Sequence, residues 1–308
     1  MSNSYFLAID TSNYTTSAAL YCPESRQMLS ETLLLPVKQG EKGLRQSDAV
    51  FLHTKQLSEI LCPLIRGKKI SAVGASIKPR NQEGSYMPCF LVGENTAKSI
   101  AAALDVPFYA FSHQEGHIAA ALFGAGRLDL WDEKILAFHV SGGTTESVIK
   151  TEDGRIEILG GTADISAGQL IDRAGVMMGL DFPCGKQIEK LALNSTYTQK
   201  IKISNKNGFI NLSGFENKAK ELYFQSADKE KVASFVIECI VQGLEHLTLA
   251  AIQKHGQLPI IYSGGVMSCK HIQQYFKEKY GGIFSPPQYS CDNAAGIAVL
   301  TQNQFKRR

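Results

Sequence analysis

The feature that most limits how this chain can fold is an internal repeat. Leu7–Leu20 reads LAIDTSNYTTSAAL, and Leu136–Ile149, 129 positions later, reads LAFHVSGGTTESVI; five of the fourteen aligned positions are identical. Most of the others exchange one strand-compatible residue for another, and a further strand follows each copy, Gln27–Leu35 in the first and Arg155–Leu159 in the second. Two β-rich segments can agree this far by chance. The shared third strand favours duplication of a hairpin-plus-strand unit, and hence two similar lobes. A length of 308 residues accommodates two lobes of ordinary size.

The rest of the chain alternates strands and helices. Helical periodicity covers Ala49–Arg66, with Leu52, Leu57, Ile60, Leu61 and Leu64 on one side. A strand (Ser71–Ser76), a helix (Glu94–Leu104) and a strand (Pro107–Phe111) follow. Ser112 with Glu115 three residues on is a capping box, opening a helix His113–Phe123. Beyond the second repeat, helices are expected at Ser166–Met178 and Lys186–Leu193. Residues 195–215 are polar and irregular with a short strand near Phe209, and a long helix or helix pair spans Glu216–Gln253. A strand Leu258–Tyr262, a helix near Met267–Lys277, a strand Gly282–Phe284 and a last helix Asp292–Thr301 complete an α/β chain. The expected lobes are residues 1–130 and 131–290, with 291–308 packing back on the first, around a nucleotide cleft at the strand ends.

Composition excludes several classes. With 44% hydrophobic and 20% charged residues the chain is globular rather than disordered. No uninterrupted apolar run approaches the roughly eighteen residues a bilayer requires, and Met1–Asp10 reads as a first strand rather than a signal peptide. The seven cysteines are scattered singly, without a C-x-x-C pair, which points to a reducing, cytoplasmic setting without disulfides. A net charge of +3 does not announce a nucleic-acid binder, yet leaves room for a local basic groove.

Two kinds of motif carry chemistry. In His113-Gln114-Glu115-Gly116-His117, the imidazoles stand four apart on one helix face and can grip a metal ion; by spacing alone they could equally be two partly exposed helix histidines. Gln114 occupies the position where a zinc peptidase carries its glutamate base, so peptidase chemistry is disfavoured. Three turns follow strands: Thr11-Ser12-Asn13-Tyr14, Ser141-Gly142-Gly143-Thr144-Thr145, and Ser263-Gly264-Gly265-Val266. Glycine lets backbone N–H groups come close to phosphate oxygens, and hydroxyls add donors. Each turn alone could be only a turn, and none matches a Walker or dinucleotide fingerprint; together they favour a nucleotide site. Asp292, at the start of the last helix, reads by itself as an N-terminal acid, and Asp172 as a surface acid.

The landmarks AIDTS (8–12), HQEGH (113–117), VSGGTT (140–145), LIDRAGVMMGLDFPCG (170–185), LSGFENKA (212–219), YSGGVMS (262–268) and PPQYSCDNAAGIA (286–298) occur in an order that resembles the TsaD family, the tRNA threonylcarbamoyladenosine synthases once called O-sialoglycoprotein endopeptidases. The resemblance spans the whole chain. It implies the duplicated actin/sugar-kinase-like (ASKHA) fold, and a metal site of His113, His117 and Asp292 for iron, zinc or a similar divalent ion, with magnesium able to accompany the nucleotide. It also implies adenylate contacts at His139, Val140, Ser141, Gly142, Gly143, Asp172, Gly185 and Glu189, to which the turns add Ser12, Gly264 and Gly265. The implied ligand is ATP or an acyl-adenylate, the acceptor tRNA, and the protein partners TsaB-like and TsaE-like, a dimer being open. The chain departs from the family pattern in four places. The T-S-C-D-E-T run is Thr11-Ser12-Asn13-Tyr14-Thr15-Thr16, without the acidic pair. Ile77–Gly84 replaces an A-G-P-G-L loop, Cys269 stands for an asparagine, and His139 for an aliphatic residue. These departures suit a divergent paralogue, and set two alternatives beside the tRNA reaction: carbamoyl transfer to another acceptor, and a non-catalytic nucleotide-binding scaffold.

Overall fold

A computed structural model of the protein describes residues 4–12, 14–36, 44–290 and 293–308. In chain order its elements are β1 (Ser4–Ser12), β2 (Thr15–Cys22), β3 (Gln27–Leu34), α1 (Gln46–Ile65), β4 (Lys69–Lys78), α2 (Phe90–Ala103), β5 (Phe108–Ser112), α3 (His113–Gly124), β6 (Ile135–Val140), β7 (Thr145–Lys150), β8 (Ile156–Thr162), α4 (Ala167–Met177), α5 (Gly185–Leu193), β9 (Asn205–Lys206), β10 (Phe209–Ile210), α6 (Ser213–Ser226), α7 (Lys229–His255), β11 (Ile260–Ser263), α8 (Lys270–Tyr280), β12 (Ile283–Phe284) and α9 (Ala295–Lys306). The chain divides into two units, Met1–Leu128 with Gln288–Arg308, and Asp129–Pro287.

In the first unit the strand order is β3-β2-β1-β4-β5. β1, β2 and β3 form an antiparallel meander, and β4 and β5 add in parallel. β1 lies at the centre and is buried on both faces, which is why its residues read as a continuous apolar run rather than an alternation. Leu7 and Ile9 face Leu57, Ile60 and Leu61 of α1 and Ala97 of α2. Ala8 faces Ile297, Ala298 and Val299 of α9. α9 and α3 meet at two glycines: a Cβ on Gly296 would stand 1.9 Å from the Gly116 carbonyl oxygen, so only glycine lets the helices approach this closely.

In the second unit the order is β12-β11-β6-β7-β8-β10-β9. β6, β7 and β8 form the antiparallel meander, and β11 and β12 add in parallel. The 3-2-1-4-5 order of the first sheet thus recurs, with the second repeat in the same central strands as the first. β10 and β9 extend the other edge by a two-residue turn, Asn207-Gly208, both at positive φ (54° and 85°). One large core gathers Leu136, Phe138 and Val140 of β6 with residues of all five helices from α4 to α8.

The expected helix 216–253 is a pair. Ala227 in the left-handed region (φ 50°) ends α6, and Asp228 caps α7 by accepting from the Lys231 N–H at 2.9 Å. Among the described residues α7 is long and apolar enough to cross a bilayer by length and composition, which corrects the expectation that no stretch comes near this. Glu238 and Glu245 interrupt the apolar run in sequence, while thirteen α7 residues, Val232 and Leu247 among them, are buried in the core. The helix expected at Met267–Lys277 is a short 3-10 turn, Gly265–Ser268, and then α8, because Cys269 is extended (φ −63°, ψ 118°).

Candidate active site

The first unit holds the histidine pair. Ser112 caps α3 as the capping box predicts: its Oγ accepts from the Glu115 N–H at 3.2 Å, and its own N–H donates to Glu115 Oε2 at 2.7 Å. This fixes the helix start, so His113 is its first residue and His117 follows one turn later. The two rings meet edge to face with centroids 4.2 Å apart. His113 Nδ1 lies 2.7 Å from Asp10 Oδ2, and the Asp10 side chain is only 1% exposed. A carboxylate on Nδ1 fixes the ring orientation, the usual arrangement behind a histidine that ligates a metal through Nε2. Two imidazoles on one helix face, one with its second nitrogen already committed, fit a divalent metal ion.

Asp292 lies outside the described residues. Near the start of α9, Gly296 packs on Gly116, the residue just before His117 on the histidine helix. Among the described residues no three His, Cys, Asp or Glu side chains are grouped to hold a metal. Ser12 ends β1 two residues after Asp10; its Oγ is buried without a hydrogen-bond partner among the described residues, as is Ser76 Oγ near the end of β4. Such groups call for a polar ligand or water.

The residues expected in the second unit form one connected set. β6 ends at Val140 and the turn Ser141–Thr144 leads into β7; the Ser141 N–H donates to the Thr144 carbonyl at 2.7 Å. Ser166, the N-cap of α4, donates its hydroxyl to the Gly142 carbonyl at 2.7 Å, and the Gly168 N–H donates to the Ser141 carbonyl at 3.2 Å. The turn is therefore seated on the N-terminus of α4. Beside it runs the turn after β11: Gly264 has φ +99°, and a Cβ there would stand 2.2 Å from the Val140 carbonyl oxygen. His139 Nδ1 lies 3.3 Å from Ser263 Oγ, which itself donates to the Phe138 carbonyl at 3.2 Å. Further along α4, Asp172 Oδ1 accepts from the Cys184 N–H at 2.8 Å, fixing the start of α5 at Gly185. On α5, Glu189 Oε1 accepts from the Lys270 N–H at 2.6 Å. Asp172 is thus a helix-positioning acid, not a plain surface residue.

Space remains above these turns. A Cβ on Gly142, Gly143, Gly185 or Gly265 would meet nothing within 4 Å, and neither Gly142 nor Gly143 uses its N–H in a hydrogen bond among the described residues. Backbone N–H groups without a protein acceptor in a glycine turn suit an anion. Burial, with the Glu189 carboxylate nearby, pushes the Cys269 thiol up to about 11, away from the thiolate form.

Sequence reasoning assigned no role to Asp10 or Ser76. Asp10 lay inside the AIDTS motif, and the usable signal was an acid in an otherwise apolar central strand.

Two repeated sheets of 3-2-1-4-5 order, each closing on a polar turn, define the actin/sugar-kinase-like class. The solved structures agree on that fold. The protein is similar to full-length HypF (TM-score 0.61, 12% identity, 100% of this chain and 56% of that one). It is also similar to the activator of 2-hydroxyisocaproyl-CoA dehydratase from Clostridium difficile (TM-score 0.56, 13% identity, 98% and 96%). Within that class the chain belongs to the TsaD family, tRNA N6-adenosine threonylcarbamoyltransferase, whose family model matches residues 65–299. It is 32% identical over 251 residues to a tRNA N6-adenosine threonylcarbamoyltransferase of Thermus thermophilus, covering 79% of this chain and 73% of that protein. To a protein of the same name from Kosmotoga olearia it is 28% identical over 313 residues, covering 98% and 93%.

Proposed function

We propose that this protein transfers a threonylcarbamoyl group from its adenylate to N6 of a tRNA adenosine. The observation that carries the reading is the pair of glycine turns of the second unit, Ser141–Thr144 and Ser263–Val266, packed side by side with unused N–H groups and open space above Gly142 and Gly143. Those N–H groups would hold the adenylate phosphate, with His139, Val140, Gly185, Gly264 and Gly265 around it and Asp172 and Glu189 fixing the helices behind.

In the reaction the adenosine N6 attacks the carbamoyl carbonyl carbon and the anhydride C–O bond breaks. AMP leaves with the electron pair, and N6 releases a proton to solvent. His113 and His117, with Asp292, would hold a divalent ion, iron or zinc; when bound it supplies Lewis acidity towards the carbonyl. Asp10 would keep the His113 ring oriented. Magnesium accompanying the nucleotide, and TsaB-like and TsaE-like partners, belong to the same reading.

A second acceptor class is favoured by one observation: the described residues of the β1–β2 turn, Ser12, Tyr14 and Thr15, carry no carboxylate, so the acceptor side differs chemically from the family pattern.

The adenylate reading is tested with Gly143→Val. The added side chain has room in the fold but fills the space above the turn. Calorimetric titration with a non-hydrolysable adenylate analogue should show binding by the native protein, and at least a tenfold loss in the variant without loss of stability. A native protein that binds no adenine nucleotide ends the reading.

A further inference from the structure

We propose that the exposed lysine-rich stretch 186–220 of the second unit, centred on the β9–β10 hairpin, is the surface that binds tRNA. This inference rests on the reading above and adds the place of contact. Seven lysines (186, 190, 200, 202, 206, 218 and 220) face two glutamates here, a local net charge of +5 in a chain whose total is only +3. No acid occurs between Lys190 and Lys206. All seven lysines are exposed, and none makes an ion pair among the described residues. Two lysines outside the stretch are neutralised locally, Lys98 by Glu94 at 2.6 Å and Lys279 by Glu245 at 2.6 Å; what sets 186–220 apart is the density of its lysines against only two acids. Even the two acids of the stretch are engaged: Glu216 with Arg173 at 3.0 Å, and Glu189 with the Lys270 N–H. An uncompensated cluster of like charges repels itself, and a polyanion relieves that repulsion.

The stretch is also held in shape. Ile188, Ile201, Ile210, Leu212 and Phe215 are anchored in the core. Gln242 of α7 pins the strandless part, accepting from the Ile201 N–H at 2.8 Å and donating to the Gln199 carbonyl at 3.1 Å. In the hairpin Phe209 of β10 stands directly opposite Lys206 of the edge strand β9 and is 38% exposed. A cation beside an open aromatic face suits an unstacked base with its phosphate. The proposed acceptor imposes the same condition: the N6 amine lies on the Watson–Crick edge, so a reacting adenosine must be unpaired, in a loop.

The test measures binding of unmodified tRNA by fluorescence anisotropy at several salt concentrations. It compares the native protein, K200E/K202E/K206E, a control K55E/K69E/K277E with the same charge change elsewhere, and Phe209→Ala. Loss of three phosphate contacts should lower the slope of log K against log salt by about 2, and weaken binding about a hundredfold at 0.1 M salt. The control should stay within about threefold of native, and Phe209→Ala should weaken binding without changing the slope. Urea unfolding confirms that each variant is folded, and the milder K200Q/K202Q/K206Q set should show the same slope change if charge reversal disturbs the fold. Native-like binding by the lysine variants of the stretch, or equal losses in the control, overturns this surface while leaving the enzymatic reading intact. A native protein that binds no tRNA overturns the enzymatic reading itself.

Discussion

Asp10 is the residue whose removal separates a metal-orienting role from a merely structural one. Its carboxylate is 1% exposed and lies 2.7 Å from His113 Nδ1. Asp10→Asn keeps the shape and replaces a charge-assisted bond by a neutral one roughly half as strong, so the ring stays in place while its basicity falls. Asp10→Ala removes the carboxylate from Nδ1 altogether and loosens the orientation of the ring. Outer partners of metal-binding histidines contribute about 10- to 100-fold in metal affinity. The asparagine variant should therefore lose about tenfold and the alanine variant about a hundredfold, the latter equivalent to about 2.7 kcal/mol at 1.36 kcal/mol per decade. Chelator-competition titration of metal-free protein with zinc or ferrous ion reads this directly, with His113→Ala as the reference for loss of a ligand. Alanine and asparagine variants that bind metal as tightly as the native protein would refute the reasoning. So would a native protein whose affinity His113→Ala leaves unchanged.

Two further outcomes follow from the second unit. Gly264→Ala should destabilise the protein by at least about 2 kcal/mol, since φ +99° with ψ 158° is open essentially only to glycine and the new Cβ would meet the Val140 carbonyl; an unchanged urea midpoint would contradict this. Asp164 is partly buried, which raises its pKa, but the Ser213 hydroxyl and the N–H groups of Leu212, Ser213 and Ile165 more than offset this and hold it below the ordinary carboxylate range. Its stabilising effect is complete above the unfolded-state pKa and is lost as pH falls through the lowered folded value. Asp164→Ala should thus cost about 1 kcal/mol at pH 7, after allowance for its exposure, and progressively less in acid; a pH-independent difference in urea midpoints would contradict that.

The repeat and the alternating elements made the fold class legible, because β1 and β6 are central strands whose apolar runs and following hydroxyl turns survive in the primary structure. Other features depended on tertiary context. The break at Ala227-Asp228 needed a left-handed residue that alanine does not advertise. The β9 strand was overlooked, although Asn207-Gly208 is a hairpin turn signal, since two-residue strands have no periodicity to read. At the candidate site the histidine spacing and the glycine turns could be read locally. The bonds from Asp10 to His113, from Asp172 to Cys184 and from Glu189 to Lys270 span 103, 12 and 81 positions, and nothing local encodes them. The choice of Asp292 rested on resemblance, and it lies outside the described residues.

The decisive measurement is mass spectrometry of nucleosides from unmodified tRNA incubated with the purified protein, ferrous or zinc ion, and a source of threonylcarbamoyl-adenylate. The account predicts N6-threonylcarbamoyladenosine, formed with native protein and absent with His113→Ala. Bound adenylate and bound metal with no modified adenosine, in the presence of TsaB-like and TsaE-like partners, would contradict it.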